Sequence, residues 1–266
     1  MLFEAIHIPR KVPIPALSNA YIHFVCWVGS LVENSMFGRI PPRYRSVAVF
    51  LLAIVGLAGM WLVELNVGGV PTTTTDPFPQ WLREWNLVGF TILNEGLASP
   101  FLDPVMWVIT HMGSTIFWLF ASTCLWIAKR RREAVLLAVG VIVGGLIILP
   151  VKMIFPTPRP YLIVPGARAL DTEGGGSFPS GHSKNGFTSA VIVGSEWKKM
   201  KIPLNVLAFL IAISRVYVGV HWPFDVVVGS IVGWIVGKLT VRYDTKIMTI
   251  LSGVAQSRIL HRHVGS

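Results

Sequence analysis

The chain is poor in cysteine and has no segment that resembles a cleavable leader. Its 266 residues include two cysteines, Cys26 and Cys124, and neither belongs to a CxxC or Cys/His pattern. That spacing predicts neither a zinc site nor a disulfide. Residues 1–16 contain three prolines and no apolar core of the signal-peptide kind, so we expect the first membrane span to direct insertion.

Acidic residues are also scarce. The chain has 13 Asp and Glu against 23 Lys and Arg, which gives a formal net charge of +10. Such a balance raises the question of a nucleic-acid partner. The cations lie in short clusters between apolar segments, however, as in the cytoplasmic loops of membrane proteins. We therefore expect no nucleic-acid partner.

Apolar residues dominate the composition. They make up 53% of the chain, charged residues 14%, and the mean hydropathy is +0.62, all typical of a membrane protein. We predict an all-α fold: a polytopic membrane helical bundle of six transmembrane helices with a short interfacial N-terminal helix. The predicted spans are 46–65, 104–128, 133–155, 183–197, 203–220 and 223–241.

These spans divide the chain into three parts. Residues 1–45 form an N-terminal cytoplasmic or interfacial segment, in which 17–37 is an amphipathic helix or, alternatively, a poor seventh span. Residues 46–241 form the membrane core, and 242–266 a cytoplasmic tail. A further interfacial helix is expected around 81–94, where tryptophans suit the headgroup layer.

Two features of the later spans predict how they pack. The segment 183–197 is short and rich in Gly, Ser and Thr, which favours burial among other helices over contact with lipid. Gly229, Gly233 and Gly237 recur every fourth residue in the last span and form a small face for close helix contact.

Orientation follows from the basic loops. Assigning residues 39–45, 129–132, 198–201 and 238–262 to the cytoplasm satisfies the positive-inside rule. Both termini are then cytoplasmic in a multi-pass protein of the cell membrane. The motifs described next all fall at the opposite, extracytoplasmic face.

Ionisable residues gather at span ends within 152–225, and a charge beside a membrane span calls for a function. Lysine and arginine are the natural ligands of a phosphoryl group, which is transferred mainly by positioning and by positive charge. The three clusters are Lys152-x6-Arg159-Pro160, Pro179-Ser180-Gly181-His182, and Ser214-Arg215-x5-His221-x3-Asp225.

The second and third clusters predict an acid and an oriented nucleophile. Ser180 can cap the following helix, Gly181 allows close backbone approach to an anion, and His182 can protonate a leaving oxygen. Pro223 suits the first helical position. Asp225 can then accept one ring N–H of His221, which leaves the other nitrogen free to attack phosphorus.

Carboxylates suited to Mg²⁺ are lacking near these clusters. Asp171 and Glu173 are the only ones there before Asp225. Since Mg²⁺ is usually held by carboxylates together with phosphates, we expect a site with no metal and no cofactor.

The three motifs resemble the signature of the type 2 phosphatidic acid phosphatase superfamily and match it at every position. The resemblance implies a six-helix membrane core and metal-independent hydrolysis of a lipid phosphate or diphosphate through a phosphohistidine on His221. Soluble haloperoxidases of that superfamily bind vanadate with the same motifs, but the predicted spans argue against that branch. The implied catalytic residues are His221, His182 and Asp225, and the implied phosphate-binding residues are Lys152, Arg159, Ser180, Gly181 and Arg215.

Several alternatives stay open. The same phosphohistidine would serve a lipid phosphotransferase, and cations lining an anion path would serve a transporter. The substrate class is an amphiphilic lipid phosphate, with a preference for isoprenyl diphosphates over phosphatidate-type monoesters, and the oligomeric state is undetermined. Lys184 and Asn185 could bind a second phosphate, and the glycines at 174–176 could give slack to a loop or form a lid.

Overall fold

The computed structural model describes residues 77–249, and every regular element in this part of the chain is helical. A π-helical turn, Ile92–Gly96, continues the first helix, a 3₁₀ turn, Lys198–Met200, precedes α7, and residues 244–249 are helical. The α-helices are α1 (Gln80–Thr91), α2 (Leu102–His111), α3 (Thr115–Ile127), α4 (Arg131–Ile154), α5 (Pro160–Ile163), α6 (Gly181–Glu196), α7 (Lys201–Tyr217) and α8 (Pro223–Arg242).

Among the described residues, α4, α7 with its preceding 3₁₀ turn, and α8 are long and apolar enough to cross a bilayer. Together α2 and α3 would make a fourth crossing, bent by 62°. The predicted bounds of the last four spans agree with α4, α6, α7 and α8 to within three residues. A helix is present at 81–94 as α1 and the π-helical turn, and its interfacial position stays a prediction. The predicted span 46–65 and the segment 1–45 lie outside the described residues, so six spans remain a prediction.

The span predicted at 104–128 consists of two helices, because the chain breaks between α2 and α3. At Gly113 an added Cβ would lie 2.6 Å from the Ile211 side chain and 2.9 Å from the Cβ of His182. The backbone therefore approaches the site here closely. Ser114 then begins α3, since its Oγ accepts a hydrogen bond of 3.1 Å from the Phe117 N–H.

Helix α6 lies at the centre of the described bundle, between α4, α7 and α8. Its polar residues from Ser183 to Ser189 are buried, as the composition of 183–197 predicts. The small face of α8 packs directly on its backbone. A Cβ added at Gly229 would lie 2.4 Å from the Ser180 carbonyl oxygen, and one added at Gly233 would lie 2.3 Å from that of Lys184. The predicted close contact at the glycines of α8 is thus confirmed.

The two ends of the bundle differ in chemistry. At one end Arg132, at the start of α4, pairs with Glu196 at 2.6 Å and with Asp244. This ties together the start of α4, the end of α6 and the segment after α8. The motif residues occupy the opposite helix ends, as expected for a site at one face of a membrane.

We predict that Gly233→Ala destabilises the protein. The new methyl group would meet the backbone of α6, which cannot move aside, and overpacking of this kind costs about 1–3 kcal/mol. Thermal unfolding of the detergent-solubilised chain measures the effect. Gly96→Ala is the matched control, since its Cβ would lie 3.7 Å from the nearest atom. Equal melting temperatures for the two variants would contradict the close α6–α8 contact.

Candidate functional site

The motif residues converge because the helix ends that carry them meet at one end of the bundle. Ser180 is the N-cap of α6, and its backbone N–H donates to the Asp225 carbonyl at 3.0 Å, which joins the starts of α6 and α8. The remaining placements are Lys152 in the last turn of α4, Arg159 just before α5, Arg215 in the last turn of α7, and His221 just before α8.

His221 and Asp225 form the pair that their spacing predicts. Nδ1 of His221 lies 3.2 Å from Oδ2 of Asp225, which also accepts the Trp222 N–H at 2.9 Å. Both side chains are buried. The other ring nitrogen, Nε2, is buried and has no hydrogen-bond partner among the described residues. It is therefore the nitrogen available for a ligand.

Arg215 is fully buried and its guanidinium is held from two sides. Nη1 donates to Oγ1 of Thr110 at 2.7 Å and lies 3.3 Å from the Asp171 carboxylate. Nη2 pairs with the Glu173 carboxylate. Thr110 thus orients the planar group from α2, while carboxylates occupy its outward edge.

The other two cations bind the glycines of the loop before α6. Nζ of Lys152 donates to the Gly176 carbonyl at 2.9 Å. Arg159 donates from Nε to Gly175 at 3.1 Å and from Nη2 to Gly174 at 2.9 Å. We call Lys152, Arg159 and Arg215 the cationic cradle. In this structure most of its donors bind groups of the protein itself, but the buried Nε of Arg215 has no hydrogen-bond partner among the described residues.

Glu173 lies at the centre of the cradle. Its carboxylate is 3.0 Å from Nη1 of Arg159 and also pairs with Arg215. It is 3.5 Å from Nδ1 of His182 and 3.7 Å from Nε2 of His221. One anionic group thus touches both arginines and both histidines of the motifs.

The electrostatics agree with this arrangement. Partial burial opposes the charged form of Glu173, but the guanidinium groups of Arg215 and Arg159 hold its pKa well below the usual value. Burial lowers the pKa of His221, although its hydrogen bond to Asp225 and the nearby Glu173 carboxylate act in the opposite direction. Near neutral pH the site therefore contains an ionised carboxylate beside an uncharged His221.

Sequence reasoning missed Glu173, Asp171 and Thr110 as parts of the site. It weighed the two carboxylates only as magnesium ligands, and an acid within a loop has no fixed spacing to a motif. A usable signal was available nonetheless. Two carboxylates lie in the loop that joins Arg159 to His182, and buried guanidinium groups need counter-charges.

The proposed contact of Lys184 and Asn185 with a second phosphate is wrong. Nζ of Lys184 lies inside the bundle and donates to the Val141 carbonyl at 2.9 Å. The Asn185 amide donates to Gly113 and Thr115 at 3.1 Å each. The side chains of both residues therefore point into the bundle. There Asn185 stabilises the break between α2 and α3.

A buried asparagine anchors the loop that carries Glu173. Asn94, in the π-helical turn, donates to the carbonyls of Tyr217 at 2.7 Å and Arg168 at 2.9 Å. It also accepts the Arg168 N–H at 2.8 Å. The loop is thereby fixed to the C-terminal end of α7, a few residues before Asp171. Sequence reasoning did not identify this role either.

Comparison with known proteins gives a consistent result. The family model of the PAP2 superfamily matches residues 133–249, which include all three motifs. The chain is 28% identical over 166 residues to an undecaprenyl-diphosphatase of Sulfolobus acidocaldarius, covering 60% of this chain and 79% of that protein. It is 30% identical over 166 residues to phosphatidylglycerophosphatase B of Bacillus subtilis, covering 57% and 79%.

A solved structure resembles the fold as well. The crystal structure of LpxE from Aquifex aeolicus superposes with a TM-score of 0.57 at 29% sequence identity. The match covers 63% of this chain and 98% of that one. The arrangement of helices is therefore shared along nearly the whole length of that protein.

Proposed function

The chain belongs to the PAP2 superfamily, and from this premise we propose that it hydrolyses an amphiphilic phosphate or diphosphate through a phosphohistidine on His221. One observation carries the proposal. Nε2 of His221 is buried and lacks a hydrogen-bond partner among the described residues. It faces an anionic group held by Arg159 and Arg215. A phosphoryl group bound in that position would be ready for attack by Nε2.

The first step transfers the phosphoryl group to the histidine. The N–P bond to Nε2 forms as the bond from phosphorus to the leaving oxygen breaks. Burial and Arg215 lower the pKa of His182 in the resting site, so His182 takes up a proton as the anionic substrate binds. It donates this proton to the leaving oxygen, which departs as a lipid alcohol or, from a diphosphate, as a lipid monophosphate. Asp225 stabilises the positive charge that develops on the His221 ring.

The second step returns His221 to its starting state. Water attacks phosphorus, His182 accepts a proton from it, and the P–N bond breaks to release inorganic phosphate. In both steps the equatorial oxygens carry negative charge, which the cationic cradle and the free N–H groups at the start of α6 stabilise. Within the protein, only the two imidazole rings change their charge during these steps.

The substrate we propose is an isoprenyl diphosphate. The similarity to an undecaprenyl-diphosphatase supports this class, whereas the similarity to a phosphatidylglycerophosphatase supports a lipid phosphomonoester. The headgroup would enter at the bundle end that holds the motifs while the tail stays in lipid. The basic clusters at the other end support, by the positive-inside rule, our proposal that this face lies outside the cytoplasm.

We predict that the purified protein releases inorganic phosphate from an isoprenyl diphosphate without any added acceptor, and does so in EDTA. Loss of the nucleophile in His221→Ala should lower kcat by about 10³-fold or more. Rapid acid-free quenching followed by mass spectrometry should detect phosphate on His221 in the unmodified chain. His111→Ala, on α2, serves as the control.

Three results would contradict the proposal. Activity retained in His221→Ala would exclude the covalent route. Phosphate release that requires an acceptor alcohol would indicate a phosphotransferase. Faster turnover of phosphomonoesters than of diphosphates across a lipid panel would overturn the substrate class.

We predict an acid limb in the pH profile of kcat/KM. Attack requires a neutral Nε2, and burial lowers the pKa of His221, so activity falls only as pH drops through a value below 6.5. Asp225→Asn replaces the carboxylate whose hydrogen bond raises this pKa by an uncharged and weaker acceptor, and should move the limb to lower pH. A limb that stays in place in Asp225→Asn belongs to the substrate phosphate and contradicts the assignment to His221.

A further inference from the structure

The resting site already contains an anion supplied by the chain. We propose that Glu173 stands in for the substrate phosphate, so that residues 171–176 form a gate segment that a phosphate or diphosphate headgroup must displace. The inference rests on the proposed function and adds a determinant of specificity to it. Glu173 would decide which anionic headgroups reach His221.

The position of the carboxylate is the first argument. Its oxygens contact the arginines of the cationic cradle and lie within 3.7 Å of the His182 and His221 rings. These are the groups that the proposed mechanism places around the transferred phosphoryl group. Carboxylate and phosphate cannot occupy this position together.

The backbone of the gate segment supplies the second argument. The carbonyls of Gly174, Gly175 and Gly176 accept hydrogen bonds from Lys152 and Arg159. Carboxylate and carbonyl oxygens thus accept hydrogen bonds from donors that would otherwise bind phosphate oxygens. Because a buried guanidinium without a counter-charge is strongly destabilising, the gate segment stabilises the protein while no substrate is bound.

The gate segment also lies between two anchored points. On one side the Leu170 N–H donates to the Val218 carbonyl at 3.1 Å, and on the other the Ser177 N–H donates to Thr157 at 2.9 Å. Between them stand three glycines, and Gly175 has a φ of +70°. About a quarter of the Glu173 side chain is exposed, so it lies at the mouth of the site.

Competition of this kind selects by charge. A ligand can bind only after the contacts of Glu173 are broken. Its apparent affinity is therefore proportional to the fraction of molecules in which the gate is open. A phosphomonoester or a terminal diphosphate carries up to two charges on three free oxygens and can replace both the carboxylate and the carbonyls. A phosphodiester has one charge and two free oxygens. The gate therefore excludes the phosphodiester headgroups of ordinary membrane lipids.

The test is Glu173→Gln, which keeps the shape of the side chain and removes its charge. We expect the inhibition constant of inorganic phosphate and the KM for substrate to fall together, by about tenfold for a gate that is closed nine times in ten. Inhibition by phosphatidylglycerol in mixed micelles should increase. Glu95→Gln, which removes an equally negative but exposed side chain, should leave all three values unchanged.

A second measurement covers the stability of the variant. In buffer without phosphate, Glu173→Gln should melt at a lower temperature than the unmodified chain, because Arg159 loses its counter-charge and Arg215 keeps only that of Asp171, at 3.3 Å. Added phosphate should raise its melting temperature more than that of the unmodified chain. Arg215→Lys should have the opposite effect and lower the affinity for phosphate, since lysine cannot form the two-point contact.

Two outcomes would overturn the gate. A large fall in kcat with unchanged phosphate inhibition would make Glu173 a participant in the reaction. Equal phosphate affinity of Glu173→Gln and the unmodified chain, measured by calorimetry, would show that no competition exists. Calorimetry does not depend on turnover. A chain that binds phosphate but hydrolyses no lipid would therefore refute the proposed function while leaving the gate to be judged by the binding data.

Discussion

The pairing of buried arginine with an anion is the constraint on which the described structure depends. Arg159 and Arg215 are almost completely buried, with exposures of 1% and 0%. Removing such charges from water is costly unless hydrogen bonds and opposite charges replace the lost hydration. The surrounding elements supply those partners: Thr110 from α2, the glycine carbonyls before α6, and the carboxylate of Glu173. A site that must hold positive charge in the resting state is also prepared for a phosphoryl group.

Close packing around α6 makes this pairing geometrically possible. The glycines of α8 bring its start against Ser180, so that His221 and the N-terminal end of α6 face the same space. Gly113 brings the break between α2 and α3 against His182 in the same way. Each contact depends on a missing side chain at a helix surface. The bundle therefore brings the two histidines to one space through close contacts at glycines.

The sequence predicted most of this arrangement, and the reason is physical. Charges at the ends of apolar segments are expensive, so their positions alone indicate a site, and small residues at every fourth position indicate a contact. Helices α4, α6, α7 and α8 accordingly lie close to the predicted bounds. The catalytic and phosphate-binding roles of the motif residues remain predictions, although the structure brings those residues together.

What the sequence did not predict depends on contacts between distant segments. The break at Gly113 follows from the approach of His182 and Ile211, which no local pattern records. Lys184 lies two residues after a motif histidine, but the helical turn directs its side chain into the bundle. Glu173 lies in a loop without periodicity, and its importance is evident only once Arg159 and Arg215 are seen beside it. Long-range complementarity of charge is thus the part of the site that local reasoning could not supply.

The most direct test of the account is a crystal structure of the full chain with orthovanadate, which can bond to a nucleophile as a phosphoryl group does. The account predicts vanadium bonded to Nε2 of His221, with oxygens held by Arg159 and Arg215 and the Glu173 carboxylate moved out of the cationic cradle. Vanadate bound elsewhere, with Glu173 still between the two arginines, would contradict it.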